Sequence, residues 1–269
     1  MLKGTLIIIG GAEDKKGEKD ILKEVCSRID RDSDELVIAT LATDLPKEVG
    51  AEYKSIFERL GVRNISVLDV QDRKDSFEQH NIDMIDRAAL VFFTGGDQLK
   101  ITSLLGGTPL YKAIHDSNEA GCVYVGTSAG ASVVSDTMII TGDDEESPKK
   151  CTLKMAPGLG LIKNVVIDQH FAQRGRIGRL LVAIAENPES LGIGIDEDTA
   201  ILLNKESEFQ VIGSGAVYVI DGSSITYTNV SEQYPDDILS MFDIKMHVLK
   251  SGDRFVLNTK LPIKEEKQN

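Results

Sequence analysis

The 269-residue sequence has no tryptophan, only three cysteines and four histidines, and no apolar run approaching the length of a bilayer. Each shortage excludes something. Cys26, Cys122 and Cys151 make no CxxC spacing, so neither a zinc site nor a disulfide framework is expected. Cys122 reads instead as a small buried hydrophobe. A membrane span needs about 20 consecutive apolar residues, and none are present, so no membrane partner is expected. The first strand-like run begins at Gly4, which leaves no room for a signal peptide, and the expected location is cytoplasmic. Cations are in deficit: 30 Lys and Arg against 43 Asp and Glu give a net charge of −13. That balance argues against a nucleic-acid surface and against anionic lipid. It suits a solvated surface, or a cationic substrate. Internal repeats and low-complexity linkers are also missing.

What is present alternates. Residues 4–9 form a continuous apolar run of the kind buried on both faces of a parallel sheet. Gly10-Gly11-Ala12-Glu13 follows; the rest of a G-x-G-x-x-G fingerprint is missing, so the double glycine reads as a tight turn at the edge of a site. Ile21, Leu22, Val25 and Ile29 recur at helical spacing. Further strands are expected at 36–41, 65–68, 89–94 and 121–125. A helix opened by Pro46, with Gly61 past its end, and another around Ile82 and Ile85 separate them. This order implies right-handed βαβ crossovers and an α/β fold with a mainly parallel sheet. Residues 165–171 are expected as a later strand, and 191–203 as paired strands around an acidic cluster. The expected organisation is one domain over 1–269. It comprises a parallel-sheet core at 1–205, a β-rich C-terminal section at 206–263 and a frayed tail at 264–269.

Gly126-Thr127-Ser128-Ala129-Gly130 lies between an apolar strand and small residues able to start a helix. That is the context of a nucleophile elbow, in which the serine Oγ projects beyond the sheet and the Ala129 N–H faces a developing oxyanion. The alternative is an ordinary serine in a small-residue turn. A serine nucleophile needs a base and an acid that orients it. His80, His115 and His247 sit where surface or packing roles suffice, whereas His170 ends an apolar strand beside Asp168 and Gln169. The acid is open between Glu197, Asp168 and Asp143. Period-2 alternation puts Asp168 on the same side of its strand as His170, where it could bind substrate instead. The amides of Gly96 and Asp97 in Gly95-Gly96-Asp97-Gln98 are the expected second oxyanion donors. Arg174, Arg176 and Arg179 form a basic cluster suited to carboxylates, or to salt bridges with surface acids. The acids Asp143 to Glu146 could meet a substrate guanidinium or form a solvated loop. An α/β-hydrolase would need a histidine after the acid, and only His247 follows Glu197.

The Gly95-Gly96-Asp97-Gln98, Gly126–Ala131, Asp168-Gln169-His170-Phe171 and Gly194–Ala200 motifs, with Arg174, Arg176, Gly178, Arg179 and Leu180, resemble the cyanophycinases. These are serine-type exopeptidases related to the aspartyl dipeptidases. The resemblance spans most of the chain. It implies a flavodoxin-like, class I glutamine-amidotransferase-like three-layer sandwich and a homodimer. It also implies hydrolysis of cyanophycin, a poly-aspartate carrying arginine on its β-carboxyls, to β-Asp-Arg dipeptides, without metal or organic cofactor. Its implied triad is Ser128, His170 and Glu197. Substrate contacts would come from Asp168, Gln169, Arg174, Arg176 and Arg179, and from Gln98 or Asp97. In the related aspartyl dipeptidases the acid falls between serine and histidine, which keeps Asp143 in play. The alternatives are an aspartyl or isoaspartyl dipeptidase and a catalytically silent flavodoxin-like binding module.

Overall fold

The computed structural model describes residues 4–265 except 143, 145, 146, 151, 233, 235 and 236. Its first half alternates as the apolar pattern dictates: β1 (Leu6–Ile9), α1 (Asp20–Cys26), β2 (Glu35–Ala39), α2 (Pro46–Arg59), β3 (Asn64–Leu68), α3 (Gln79–Arg87) and β4 (Ala88–Phe93). There follow α4 (Gln98–Leu105), α5 (Pro109–Ala120), β5 (Val123–Thr127) and the short α6 (Ala129–Ser132). The second half is strand-rich: β6 (Thr137–Thr141), β7 (Lys154–Pro157), β8 (Val165–Gln169), α7 (Ile177–Glu186), β9 (Leu191–Ile195), β10 (Thr199–Leu203), β11 (Glu208–Gly213) and β12 (Val217–Asp221). β13 (Tyr227–Thr228), β14 (Met241–Phe242), β15 (Lys245–Leu249), β16 (Arg254–Val256) and β17 (Leu261–Ile263) complete it.

The strands make a nine-stranded sheet in the order β17-β16-β11-β10-β1-β5-β4-β2-β3 and a four-stranded sheet β15-β12-β9-β8. The five strands from β1 to β3 are mutually parallel, while β10 joins β1 antiparallel. In the smaller sheet only β8 and β9 are parallel. Both faces of β1 are buried, Leu6 and Ile8 in one core and Ile7 and Ile9 in the other, which is why its sequence is apolar without alternation. α1 and α2 cover one face with Ile21, Leu22, Val25, Tyr53 and Phe57. The other face receives α3, α4 and α5 together with the inner face of the small sheet. α7 packs Leu180, Ala183 and Ile184 on the outside of that small sheet.

Residues 191–203 depart from the expected strand pair. β9 belongs to the small sheet and β10 to the large one, so Asp196-Glu197-Asp198 is a crossing between sheets. The glycines of Leu191-Gly192-Ile193-Gly194-Ile195 explain which face packs where. A Cβ at Gly194 would lie 2.5 Å from the Phe171 ring, so that face admits only hydrogen, while Leu191, Ile193 and Ile195 fill the inter-sheet core. The strands after residue 206 extend both sheets: β11 pairs with β10, and β12 with β9. Of the expected tail, 266–269 lie outside the described residues, and Glu265 is held by Lys250 at 2.6 Å.

Beneath the strand-to-helix turn at Ser128, the buried Tyr124 stacks on Phe93 and donates its hydroxyl to the Gly130 carbonyl at 2.8 Å. Tyr124→Phe keeps the ring and strands that buried acceptor. It should lower the unfolding free energy by about 1–3 kcal/mol, read as an earlier midpoint in urea denaturation.

Candidate active site

The carboxyl ends of parallel pairs from the two sheets meet at one place. In the large sheet Ile9 is level with Thr127; in the small sheet Gln169 is level with Ile195. The residues that come next, Gly10-Gly11, Ser128, His170 and Asp196-Glu197, are therefore neighbours, as expected of sites beyond strand carboxyl ends.

Ser128 has φ 53° and ψ −109°, a conformation that L-residues rarely adopt and that lifts its side chain out of the β5 direction. Its Oγ donates to His170 Nε2 at 3.0 Å, and the same oxygen lies 3.5 Å from Gln169 Oε1. His170 Nδ1 donates to Glu197 Oε1 at 2.6 Å; since a carboxylate only accepts, this bond selects the tautomer whose Nε2 is free to receive the serine proton. Burial holds the His170 pKa below the usual imidazole value. The Glu197 bond opposes that shift, and the positive charges of Arg174 and Arg176 assist it. The imidazole is thus neutral at neutral pH.

His170 does not continue the alternation of β8. It has φ 48°, and its N–H donates to the Gly10 carbonyl, so the ring swings toward Ser128 while Asp168 stays in the strand. Asp168 is 1% exposed and receives Arg179 through Nε at 2.7 Å and a terminal nitrogen at 2.5 Å. Arg176, also buried, donates to the Gln169 carbonyl at 2.7 Å. Asp144 then bridges Arg176 and Arg179, each at 3.1 Å. Asp144 is therefore held by the chain's own guanidinium groups. Asp143, Glu145 and Glu146 lie outside the described residues. Arg174 remains exposed near His170.

The oxyanion donors expected from Gly95-Gly96-Asp97-Gln98 divide. A Cβ on Gly95 would sit 3.3 Å from the Ser128 Cβ, so this turn does face the serine. The Asp97 amide, however, donates to the Ala42 carbonyl at 2.9 Å and is spent. Gly96, with φ 142°, and Ala129, at the start of α6, have amides that make no hydrogen bond among the described residues. The Asp97 side chain caps α4, and Gln98 anchors the carbonyls of Ile139 and Ile140 through its amide nitrogen.

Sequence reasoning missed three supports. Asp196 accepts the Ala172 N–H at 2.9 Å and the Ala216 N–H at 3.1 Å, tying the His170 loop to the acid loop. Gln173 accepts the Glu197 N–H at 3.0 Å. Glu13 is buried under β5 and accepts from Thr127. An acidic residue just after Gly-Gly at the end of a buried strand is the signal that could have singled out Glu13. The other histidines lie elsewhere: His115 bonds the Leu159 carbonyl, and His247 packs on Phe255. Among the described residues no group of three or more His, Cys, Asp or Glu could hold a metal ion. No helix among them is long and apolar enough to cross a membrane.

Residues 6–212 match peptidase family S51. The chain is 39% identical over 263 residues to a cyanophycinase from Geminocystis herdmanii, covering 97% of each. It is 37% identical to one from Trichormus variabilis, covering 95% of this chain and 86% of that protein. Among solved structures, a peptidase from an acI-B1 actinobacterium shares the fold with a TM-score of 0.60 at 23% identity, over 90% of this chain and 96% of that one.

Removing Arg179 tests the buried frame. Arg179→Leu leaves Asp168 without its bidentate partner and should cost about 3–5 kcal/mol of stability, measured by chemical denaturation.

Proposed function

The chain belongs to peptidase family S51, and on that footing we propose that it is a serine-type exopeptidase that degrades cyanophycin to β-Asp-Arg dipeptides. The observation that carries the reading is the unbroken line Ser128 Oγ–His170 Nε2, 3.0 Å, and His170 Nδ1–Glu197 Oε1, 2.6 Å. It stands in a chain 36–39% identical to cyanophycinases along 95–97% of its length.

In the proposed reaction Ser128 Oγ attacks the α-peptide carbonyl between backbone aspartates while His170 Nε2 takes its proton. Glu197 holds the resulting imidazolium. The amides of Ala129 and Gly96 receive the negative charge that develops on the carbonyl oxygen. Collapse breaks the C–N bond, His170 returns the proton to the leaving amine, and water then hydrolyses the acyl-enzyme with His170 again as base. Gln169, next to the serine, would orient substrate or water. Asp168, Arg176 and Arg179 satisfy one another, which favours a framing role for them and leaves Arg174 as the exposed cation to meet a substrate carboxylate. The resemblance extends the reading to a homodimer in the cytoplasm.

Purified protein incubated with insoluble cyanophycin should release β-Asp-Arg. Ser128→Ala should slow that release by at least about a thousandfold while leaving the fold intact. Activity confined to free aspartyl or isoaspartyl dipeptides would replace the polymer reading with a dipeptidase.

The pH profile follows from the state of the base. His170 works when neutral, so kcat/KM should fall as pH drops through its pKa. Because burial and the nearby arginines lower that pKa, the acid limb should lie below the ordinary imidazole value of about 6.5. Arg174→Gln removes one of the depressing charges and should move the limb upward. A limb above the ordinary value in the wild type would contradict the assignment.

A further inference from the structure

Glu13 is a carboxylate that the reaction above does not use. It is 4% exposed, and its two oxygens accept from two hydroxyl groups: Thr127 Oγ1 at 2.6 Å on one, and Tyr53 on the other. Both partners are themselves buried. No described cation forms an ion pair with it; the nearby Lys15 ammonium lies over the Tyr53 ring, 4.2 Å from its centroid, and pairs with Glu52. Burying a carboxylate against neutral donors is costly. Closing a turn would not call for it, since a neutral side chain would do so at less cost.

A carboxylate can only accept, and this gives it an effect that a neutral residue would lack. It forces both hydroxyl protons inward and so holds Thr127 in one orientation. Thr127 immediately precedes Ser128, whose backbone is strained. The main chain leading to Glu13 makes the remaining contacts in sequence. The Ile9 carbonyl accepts from Ser128 N at 3.1 Å, the Gly10 carbonyl from His170 N at 2.8 Å, and the Gly11 carbonyl from Asp198 N, next to Glu197, at 2.9 Å. Gly11 itself, at φ 100°, leaves room for the imidazole: a Cβ there would lie 2.4 Å from His170 Cε1. One five-residue segment therefore touches the nucleophile, the base and the acid loop, and Glu13 is its buried anchor.

We propose that Glu13 is a positioning residue for the reaction, fixing the Ile9–Glu13 segment as the jig against which Ser128, His170 and Glu197 are aligned. The proposal rests on the reading of those three as the catalytic group, and it is tested by variants that separate alignment from folding. Glu13→Gln fills the same space but turns a donor toward one hydroxyl. It should reduce kcat and the rate of fluorophosphonate labelling of Ser128 by roughly 10- to 100-fold, with KM and the thermal midpoint little changed. Thr127→Val should reproduce the loss, and Thr127→Ser, which restores the hydroxyl, should recover most of it. That pair decides the matter should Glu13→Gln fail to fold. A folded Glu13→Gln that labels at the wild-type rate would overturn the proposal. So would a rise in KM at unchanged kcat, or a Thr127→Ser no better than Thr127→Val. In the first case, labelling that is still lost in Ser128→Ala leaves the catalytic reading standing. Wild-type protein that takes no label would remove that reading and the proposal together.

Discussion

The site depends on a single reversal of strand direction at β1. This strand pairs parallel with β5 on one side and antiparallel with β10 on the other, so the carboxyl end of β5 and the amino end of β10 arrive level with Ile9. Thr127 and Ala200 are its two partners there, which brings the serine that follows Thr127 close to the acid loop that precedes Thr199. The small sheet supplies the remaining member by the same geometry, since β8 and β9 run parallel and end together at Gln169 and Ile195. Had β10 joined β1 parallel, its carboxyl end would lie at this pole and the acid loop at the other.

Convergence of strand ends does not by itself aim side chains. The chain spends backbone strain for that purpose. Ala12, Ser128, His170 and Asp198 all have φ between 46° and 53°, in the left-handed region. Each such residue costs on the order of 1–3 kcal/mol and persists only when its surroundings over-determine it. Here the over-determination is visible: Ser128 N, His170 N and Asp198 N all donate to successive carbonyls of β1 and the turn after it. The strain and the hydrogen bonds that hold it are one device, and it aligns groups from two sheets.

Much of the fold was legible because buried parallel strands read as unbroken apolar runs. β1, β2, β4 and β5 and the stripes of α1 and α2 follow from that rule. The division into two sheets was not legible. Leu191–Ile195 and Thr199–Leu203 are each apolar and separated by three acids, a pattern equally good for a hairpin and for a crossing; only the packing of Gly192 and Gly194 against α7 and Phe171 separates them. Ser128 and His170 stood out because a tight turn and a polar strand end are local signals. The burial of Asp168, Arg176 and Arg179 was hidden because charge at helical spacing looks the same whether it faces solvent or a partner 11 residues away. The Asp97 amide, expected as an oxyanion donor, is engaged for a reason equally hidden in the sequence: its acceptor, Ala42, lies on a different strand's loop.

The buried charges have a consequence for His170, the proposed base. Two guanidinium groups close to an imidazole would, uncompensated, make its protonated form costly and weaken it as a proton acceptor. Asp168 and Asp144 lie within about one hydrogen-bond length of the Arg176 and Arg179 guanidinium nitrogens and offset part of that charge, while Arg174 and Arg176 still hold the His170 pKa down. Desolvation then keeps the ring neutral at rest, and Glu197 supplies a charge that gains strength once the ring is protonated. The opposing influences act on different protonation states. Burial sets the resting state, whereas the 2.6 Å bond to Glu197 contributes most after the proton has moved. An ion-paired frame around a half-buried carboxylate is thus suited to the role proposed for His170, a base neutral before attack and cationic immediately after it.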